Sequence, residues 1–317
     1  MRRLPLRAAA LAAAACTVLA AGVGLAQTAP AQPPRTMQEV IDSAKPGDWR
    51  DLDPARTLYM DLDGGRVVIE LSPEFAPAHV ANIRALAKGG YWNGLMILRA
   101  QDNYVVQWGD PEEDDAKRKP LSKGAKAKLP AEFARDSKGL AFTRLPDVDG
   151  WADQVGFVQG FPVARSTSEN LTWLANCYGT VGAGRNNEAD SSNGSELYVI
   201  IGQSPRHLDR NITSVGRVVK GMELLSVMPR GTGPLGFYEK AEQRVPIRAI
   251  TLASDVKAAE RLKLQIMRTD TPLFDQLVEV RRNRRDDFYK RPAGHIDVCN
   301  VPIPVREAPA AAGKPKR

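Results

Sequence analysis

Two short runs near the start alternate apolar and polar positions. Leu58, Met60 and Leu62 share one phase of Thr57–Leu62, and Val67, Ile69 and Leu71 share one phase of Arg66–Leu71. A period of two puts each set on one face of a strand. Asp63-Gly64-Gly65 between them is the glycine-bearing link of a β-hairpin. The period then changes. Val80, Ile83 and Ala87 recur at helical spacing, which predicts a helix over Ala76–Lys88 stopped by Gly89-Gly90. "LRAQDNYVVQWGD", Leu98–Asp110, reads as strand, turn and strand. Glu196–Ile201, Ile212–Val219 and Val245–Leu252 read as further strands. Met222–Met228 reads as a short helix after Gly221, and Pro229–Gly236 as a glycine-rich turn region.

The flanks and the middle follow other patterns. Thr36-Met37-Gln38-Glu39 fits a capping box and predicts a helix to about Ala44, ended by Pro46-Gly47. Helices are expected over Asp255–Met267 and Pro272–Tyr289, the second with proline at its first position. Pro111–Tyr178 has no clear period and predicts irregular structure with short strands. Its charged opening, Glu112 to Lys119, reads as a solvated surface excursion, as does the face formed by Arg281, Arg282, Arg284 and Arg285. Ala308–Arg317 is expected to be a disordered tail.

Composition narrows the class. The chain has 317 residues, 43% apolar and 26% charged, enough for one substantial domain with extensions or two small domains. The net charge is +7, but three of the cations, Arg2, Arg3 and Arg7, lie in residues 1–26, which hold no acid; the remainder carries +4. That excess is too mild to imply a nucleic-acid partner. Residues 1–26 read as an export signal: a basic start, an alanine-rich apolar stretch over Ala8–Ala21, and small residues at Gly24-Leu25-Ala26. Cleavage is the expected outcome, with an uncleaved anchor, or lipidation at Cys16, as the rival. The expected location is periplasmic, with membrane association only if that segment is retained or lipidated. Gln27–Thr36 reads as a linker. After the signal two cysteines remain, Cys177 and Cys299, either as a disulfide or as two buried thiols.

The usual chemical constellations are missing from the sequence. His79, His207 and His295 are widely spaced, and none pairs with a cysteine at metal-ligand spacing. Ser195 is not in a nucleophile elbow, and no phosphate-cradling glycine loop follows a strand. No cofactor or metal is expected. What stands out is a guanidinium and a carboxamide, Arg99 and Gln107, on strands otherwise fit for a core.

That stretch resembles the arginine-bearing signature of the cyclophilins, the peptidyl-prolyl cis-trans isomerases. Arg99, Tyr104, Gln107 and Gly109-Asp110 keep the family's spacing. "LYMDLDGGRVVIELSPEFAPAHVANIRALAKGGYWNG" is similar to the family's opening hairpin and helix, "NGSELYVIIG" to a later strand, and "HLDRNITSVGRVVKGMELL" to the segment after it. The resemblance covers residues 56–255, preceded by a linker and short helix over 27–55, interrupted by a long insertion at about 111–178, and followed by a helical extension and tail over 256–317. It implies a mainly β fold: a closed eight-stranded antiparallel barrel capped by two helices, with helical N- and C-terminal extensions. By position it assigns catalysis to Arg99 and Gln107. Substrate binding falls to Tyr104, Val105, Glu196, Tyr198, His207, Leu208 and Ile212, with Gly184-Arg185 near the place of a backbone-binding pair. Several positions depart from the family pattern. Leu98 stands where the family has histidine, Glu196 replaces a glutamine, His207 a tryptophan and Ile212 a histidine.

The implied function is acceleration of X–Pro rotation in exported proteins as they fold, on proline-containing unfolded or extended polypeptides. The planar bond has a barrier of about 18–20 kcal/mol. Rotation returns a lone pair to the prolyl nitrogen, and a fixed cation that donates to it binds the twisted amide better than either planar form. The alternative is a cyclophilin-like module that binds proline peptides or scaffolds a complex with little turnover, because Glu196 could neutralise Arg99.

Overall fold

The computed structural model describes residues 35–309, apart from residues 113 and 115. The expected signal segment, most of the linker and nearly all of the expected tail lie outside the described residues. The main sheet is antiparallel and nine-stranded. Its order is Val245–Pro246, Met96–Ala100, Val105–Gly109, Leu197–Ile200, Thr180–Ala183, Ser214–Lys220, Gly65–Leu71, Thr57–Leu62 and Ala249–Leu252. The Thr57–Leu62 and Gly65–Leu71 strands pair directly, as their alternation requires.

The expected closed eight-stranded barrel is corrected here: the sheet is open, strongly curled and nine-stranded, a half-barrel capped by helices. The difference arises at the run read as one strand, Val245–Leu252. Pro246 has no N–H to donate, which restricts it to the edge of a sheet, and the chain changes edge just after it, between Ile247 and Arg248. The run breaks, and its halves pair with opposite edges, Val245–Pro246 beside Met96–Ala100 and Ala249–Leu252 beside Thr57–Leu62. Ile247 and Arg248 cross between the edges, donating to Leu95 O at 2.8 Å and Asp61 O at 2.9 Å.

The inner face of this sheet holds the larger core, including Ile69, Ile97, Val106, Trp108, Leu197 and Val199, with Ile83 and Leu86 from the Pro77–Lys88 helix. Ala76 cannot cap that helix with its own side chain. Glu132 does so from the insertion. Its carboxylate accepts from Ala78 N and His79 N, each at 2.9 Å, and meets His79 Nδ1 at 2.7 Å. Burial pushes the Glu132 carboxyl up, but these hydrogen bonds outweigh it and hold the group below its usual range. A carboxyl depressed in the fold stabilises it above the unfolded pKa, about 4.3. That contribution is lost as pH falls through the lower folded value, because the unfolded chain then binds more protons. The thermal midpoint should therefore drop between pH 6 and pH 3, and Glu132→Gln should flatten that drop. Equal slopes in both proteins would remove Glu132 as a contributor.

The Pro111–Tyr178 insertion is more regular than its sequence implies. It forms a second antiparallel sheet in the order Arg135–Asp136, Leu171–Leu174, Phe161–Ser166, Gln154–Val158 and Thr143–Leu145. Its apolar side chains share a separate core with both extensions: Val40 and Trp49 from the N-terminal side, and Phe274, Leu277 and Val298 from the C-terminal side. The capping box at Thr36 and Glu39 is present and starts the Met37–Asp42 helix. The helix expected over Asp255–Met267 is absent. That stretch starts at the end of one short 3-10 turn, Ala253–Asp255, and holds another, Ala258–Glu260, and Leu264–Met267 is a strand between Trp49–Asp51 and Val305–Glu307. The next helix spans Pro272–Arg282 and stops short of Tyr289. Arg50 joins the N-terminal strand to the main sheet through two hydrogen bonds to Glu70, at 2.6 and 2.8 Å.

Cys177 and Cys299 are joined as a disulfide, with Cα atoms 5.0 Å apart and a sequence separation of 122. The link ties the end of the insertion to the C-terminal extension. A disulfide typically contributes about 2–4 kcal/mol, less than the loop entropy alone gives for so long a span. The Cys177→Ala/Cys299→Ala protein should lose that amount in urea denaturation, and an unchanged midpoint would show that the link constrains little.

Candidate functional site

The outer face of the curled sheet carries a different set of side chains. Along Val105–Gly109 the even positions, Val106 and Trp108, enter the core. Val105 therefore points outward, where it packs with Tyr198 and Ile200 against partly buried Tyr104 and Ile212. Register builds one polar row across this face: Arg99 is opposite Gln107, Gln107 opposite Tyr198, and Tyr198 opposite Gly182. Gly182 has to lack a side chain, because the Tyr198 ring and hydroxyl occupy the space a Cβ would take.

Strict alternation would send Arg99 to the side of Ile97, into the core. The pairing register instead shifts between Ile97 and Arg99. An extra residue on one strand re-aims the side chains beyond it. Leu98 takes up that shift, so Ile97 and Ala100 remain in the core while Arg99 turns to the outer face, half-buried.

The guanidinium is held on several sides. Arg99 Nε donates to Leu235 O at 2.6 Å, Nη1 to Gln107 Oε1 at 3.1 Å, and Nη2 to Gln101 Oε1. Two rings lie close to it, the Tyr104 centroid at 5.5 Å and that of Phe237 at 5.4 Å. Arginine has five N–H groups, so among the described residues these bonds leave one N–H on each terminal nitrogen for the groove. Burial pulls the Arg99 pKa down, opposed by Tyr104 and Tyr198; an arginine nonetheless stays charged at any ordinary pH. Burial is also the main cause that raises Tyr198 above the usual phenol range, so its hydroxyl stays protonated. Among the described residues that hydroxyl has no hydrogen-bond partner.

Glu196 does not pair with Arg99. Its carboxylate accepts from Gln107 Nε2 at 3.1 Å and lies 3.8 Å from Arg118 Nη1. This contact fixes which way the Gln107 amide points, with its nitrogen to Glu196 and its oxygen to Arg99.

These residues line a groove of about 440 Å³. Of the residues expected from the sequence, Arg99, Tyr104, Val105, Gln107, Glu196, Tyr198, Leu208 and Ile212 all line it, together with Gly184 and Arg185. His207 is not in the lining. It is exposed and stacks on the Tyr104 ring, with planes within 8° and centroids 6.3 Å apart. Sequence reasoning missed Gln101, Leu235 and Phe237. Leu235 and Phe237 come from a loop more than 130 residues beyond Arg99 and had no local signal beyond the glycine-rich turn. Gln101 had one clue, its place two residues after Arg99. The wall formed by Leu208 rests on a buried ion network. Arg206, 3% exposed, donates to Asp149 at 2.8 and 3.1 Å and to Asp209 at 2.7 Å. Asp149 comes from the insertion, so the second sheet props the groove wall.

The arrangement is an open groove, polar over much of its wall, with an apolar corner at Val105, Tyr198, Leu208 and Ile212 beside a fixed cation with spare donors. It suits non-covalent binding of an extended peptide with a small ring. Three comparisons bear on this. The model of the family described as cyclophilin type peptidyl-prolyl cis-trans isomerase/CLD matches residues 57–252. A protein of Brucella suis biovar 1 named as a probable peptidyl-prolyl cis-trans isomerase is 28% identical over 180 residues, covering 57% of this chain and 74% of its own. A protein of the same name from Brucella abortus strain 2308 is 27% identical over 180 residues, with the same coverage. The crystal structure of cyclophilin AquaCyp293 from Hirschia baltica superposes with a TM-score of 0.66 at 28% identity, covering 86% of this chain and 97% of that one. The structural likeness thus reaches beyond the family segment into the flanking elements.

Proposed function

The chain belongs to the cyclophilin-type peptidyl-prolyl cis-trans isomerase family, and from that premise we propose that it turns X–Pro bonds by holding the twisted amide against Arg99 in the outer groove. As a member of that family it is a prolyl isomerase acting on proline-containing polypeptides. In the proposed mechanism the proline ring seats among Tyr104, Val105, Tyr198, Leu208 and Ile212. The free N–H groups of Arg99 face the prolyl nitrogen as it loses conjugation. Gln107, oriented by Glu196, holds the guanidinium and the flanking backbone.

The observation that carries this reading is the placement of Arg99: on the outer face, open to the groove, and tied to neutral acceptors rather than to a carboxylate. A module that only binds would be favoured by an Arg99–Glu196 pair, and Glu196 is engaged by Gln107 and near Arg118 instead. A charge-assisted hydrogen bond supplies about 1.5–3 kcal/mol, whereas a millionfold acceleration needs about 8. The ring pocket and the fixed backbone contacts therefore have to provide the remainder through orientation and exclusion of water. No covalent bond forms or breaks.

Action on exported proteins in the periplasm is part of the proposal. The basic, apolar and small-residue order of residues 1–26 supports it, as does a disulfide, which persists in oxidising compartments. Fractionation of expressing cells, with recovery of the protein in the cytoplasm, would count against it. The test of activity is a protease-coupled assay on a short proline peptide: acceleration of the cis-to-trans phase is expected, and a rate equal to the uncatalysed one would leave only binding.

A further inference from the structure

Next to Arg99 the groove is bounded by a loop that turns two apolar side chains outward. Leu235 is 66% exposed and Phe237 37% exposed, and both line the groove. Among the described residues neither belongs to a buried hydrophobic cluster. The Leu235 backbone is left-handed, with φ 56° and ψ 16°, and Gly236 follows at φ 78°. Two successive positive φ values make a turn of the type that favours Asn-Gly. Leucine in the first place is strained, because its Cβ crowds the backbone there.

The strain is imposed by a pinned loop. Gly231 N donates to Ala100 O at 3.0 Å, Tyr238 N to Leu98 O at 2.9 Å, and the Tyr238 hydroxyl to Pro229 O at 2.6 Å. A Cβ on Gly236 would come within 2.6 Å of the Gln101 backbone, so the loop lies hard against the strand that carries Arg99. The Leu235 carbonyl accepts from Arg99 Nε, a backbone service that glycine or asparagine would perform without strain. What leucine alone adds is apolar surface, held rigidly at the rim of a peptide groove. Strain retained at a ligand site points to use of the strained residue.

We propose that Leu235 and Phe237 form a second apolar subsite, separate from the ring pocket, which takes a bulky aliphatic or aromatic side chain within two residues of the proline. This makes the protein selective for proline segments with such a neighbour, and it rests on the reading of the groove as the isomerase site. The spacing agrees. The Tyr104 and Phe237 ring centroids are 5.5 and 5.4 Å from the guanidinium carbon, so they are at most about 11 Å apart, within the reach of two to three extended residues.

The test compares kcat/KM on peptide pairs that differ only in one flanking position, Ala-Ala-Pro-Phe against Ala-Ala-Pro-Gly and Phe-Ala-Pro-Ala against Gly-Ala-Pro-Ala. The full-length wild type and Leu235→Gly are measured together. Wild type should favour the phenylalanine member of at least one pair by about tenfold. Leu235→Gly should bring that ratio within about twofold, and its thermal midpoint should not fall, since strain is relieved. A preference equal in both proteins, or absent from the wild type, overturns the subsite. If the wild type turns over none of the peptides, the isomerase reading fails instead. Affinities of the same pairs, measured by titration, then decide the subsite by the same ratio.

Discussion

Arg99→Ala should lower kcat/KM on a proline peptide by about a hundredfold, with a thermal midpoint within about 2 °C of wild type. The first number follows from the loss of a charge-assisted hydrogen bond at the upper end of its range, about 3 kcal/mol, at 1.36 kcal/mol per factor of ten. The second follows from position. Arg99 is half-buried on the outer face and takes no part in the core, so its truncation opens no cavity. Its three acceptors can turn to water in a groove that is already open. Arg99→Lys is the sharper variant. It keeps the charge, but an ammonium on a flexible stem cannot hold Leu235 O, Gln107 and Gln101 and also present two aimed donors. It should therefore lose more than about tenfold, which simple charge retention would not predict. A protease-coupled assay reads both. Wild-type rates in Arg99→Ala would remove the guanidinium from the mechanism.

Arg206→Ala should have the largest effect on stability, a loss of about 3–5 kcal/mol in urea denaturation. Arg206 is 3% exposed, and the side chains of Asp149 and Asp209 are 1% and 7% exposed. Burial alone would lower the Arg206 pKa, yet its bonds to Asp149 and Asp209 outweigh that and raise it. Removing the cation leaves two carboxylates facing each other out of water. Asp209 keeps partners in Trp173 Nε1 and Asn176, while among its side-chain contacts Asp149 loses its bidentate pair. Leu208 follows two residues later and lines the groove, so KM for proline peptides should rise more than kcat falls. The double variant Arg206→Met/Asp149→Leu should recover much of the stability, because well-packed apolar groups can replace a buried pair. A cost below about 1 kcal/mol for Arg206→Ala would show that the network is solvated after all.

The legible parts of this molecule were those whose signal is local. The Thr57–Leu62 and Arg66–Leu71 hairpin stood out because its partners are separated only by a short turn, and a period of two dictates the face. The Pro77–Lys88 helix was equally plain, although the residue that caps it, Glu132, lies far along the chain. Arg99 and Gln107 could be picked out together because they sit eight residues apart in one strand-turn-strand unit. The insertion was not legible as a sheet. Its strands are two to six residues long, too short for periodicity to rise above its many turn residues. Leu264–Met267 was misread as helix because its strand partner, Trp49–Asp51, is more than 200 residues away.

By itself, then, the sequence determined which residues alternate, where the chain turns, and that a cation and an amide lie in a unit otherwise made for burial. Tertiary structure alone decided that Arg99 faces outward, through the register shift at Leu98. It also decided that Glu196 serves Gln107 and not Arg99, that Leu235 and Phe237 lie against the guanidinium, and that the last run divides between two edges of an open sheet. The reason is one of range. Side-chain direction along a strand is set by neighbours two residues away, whereas register, edge pairing and the far wall of a groove depend on contacts between segments that no short window of sequence contains.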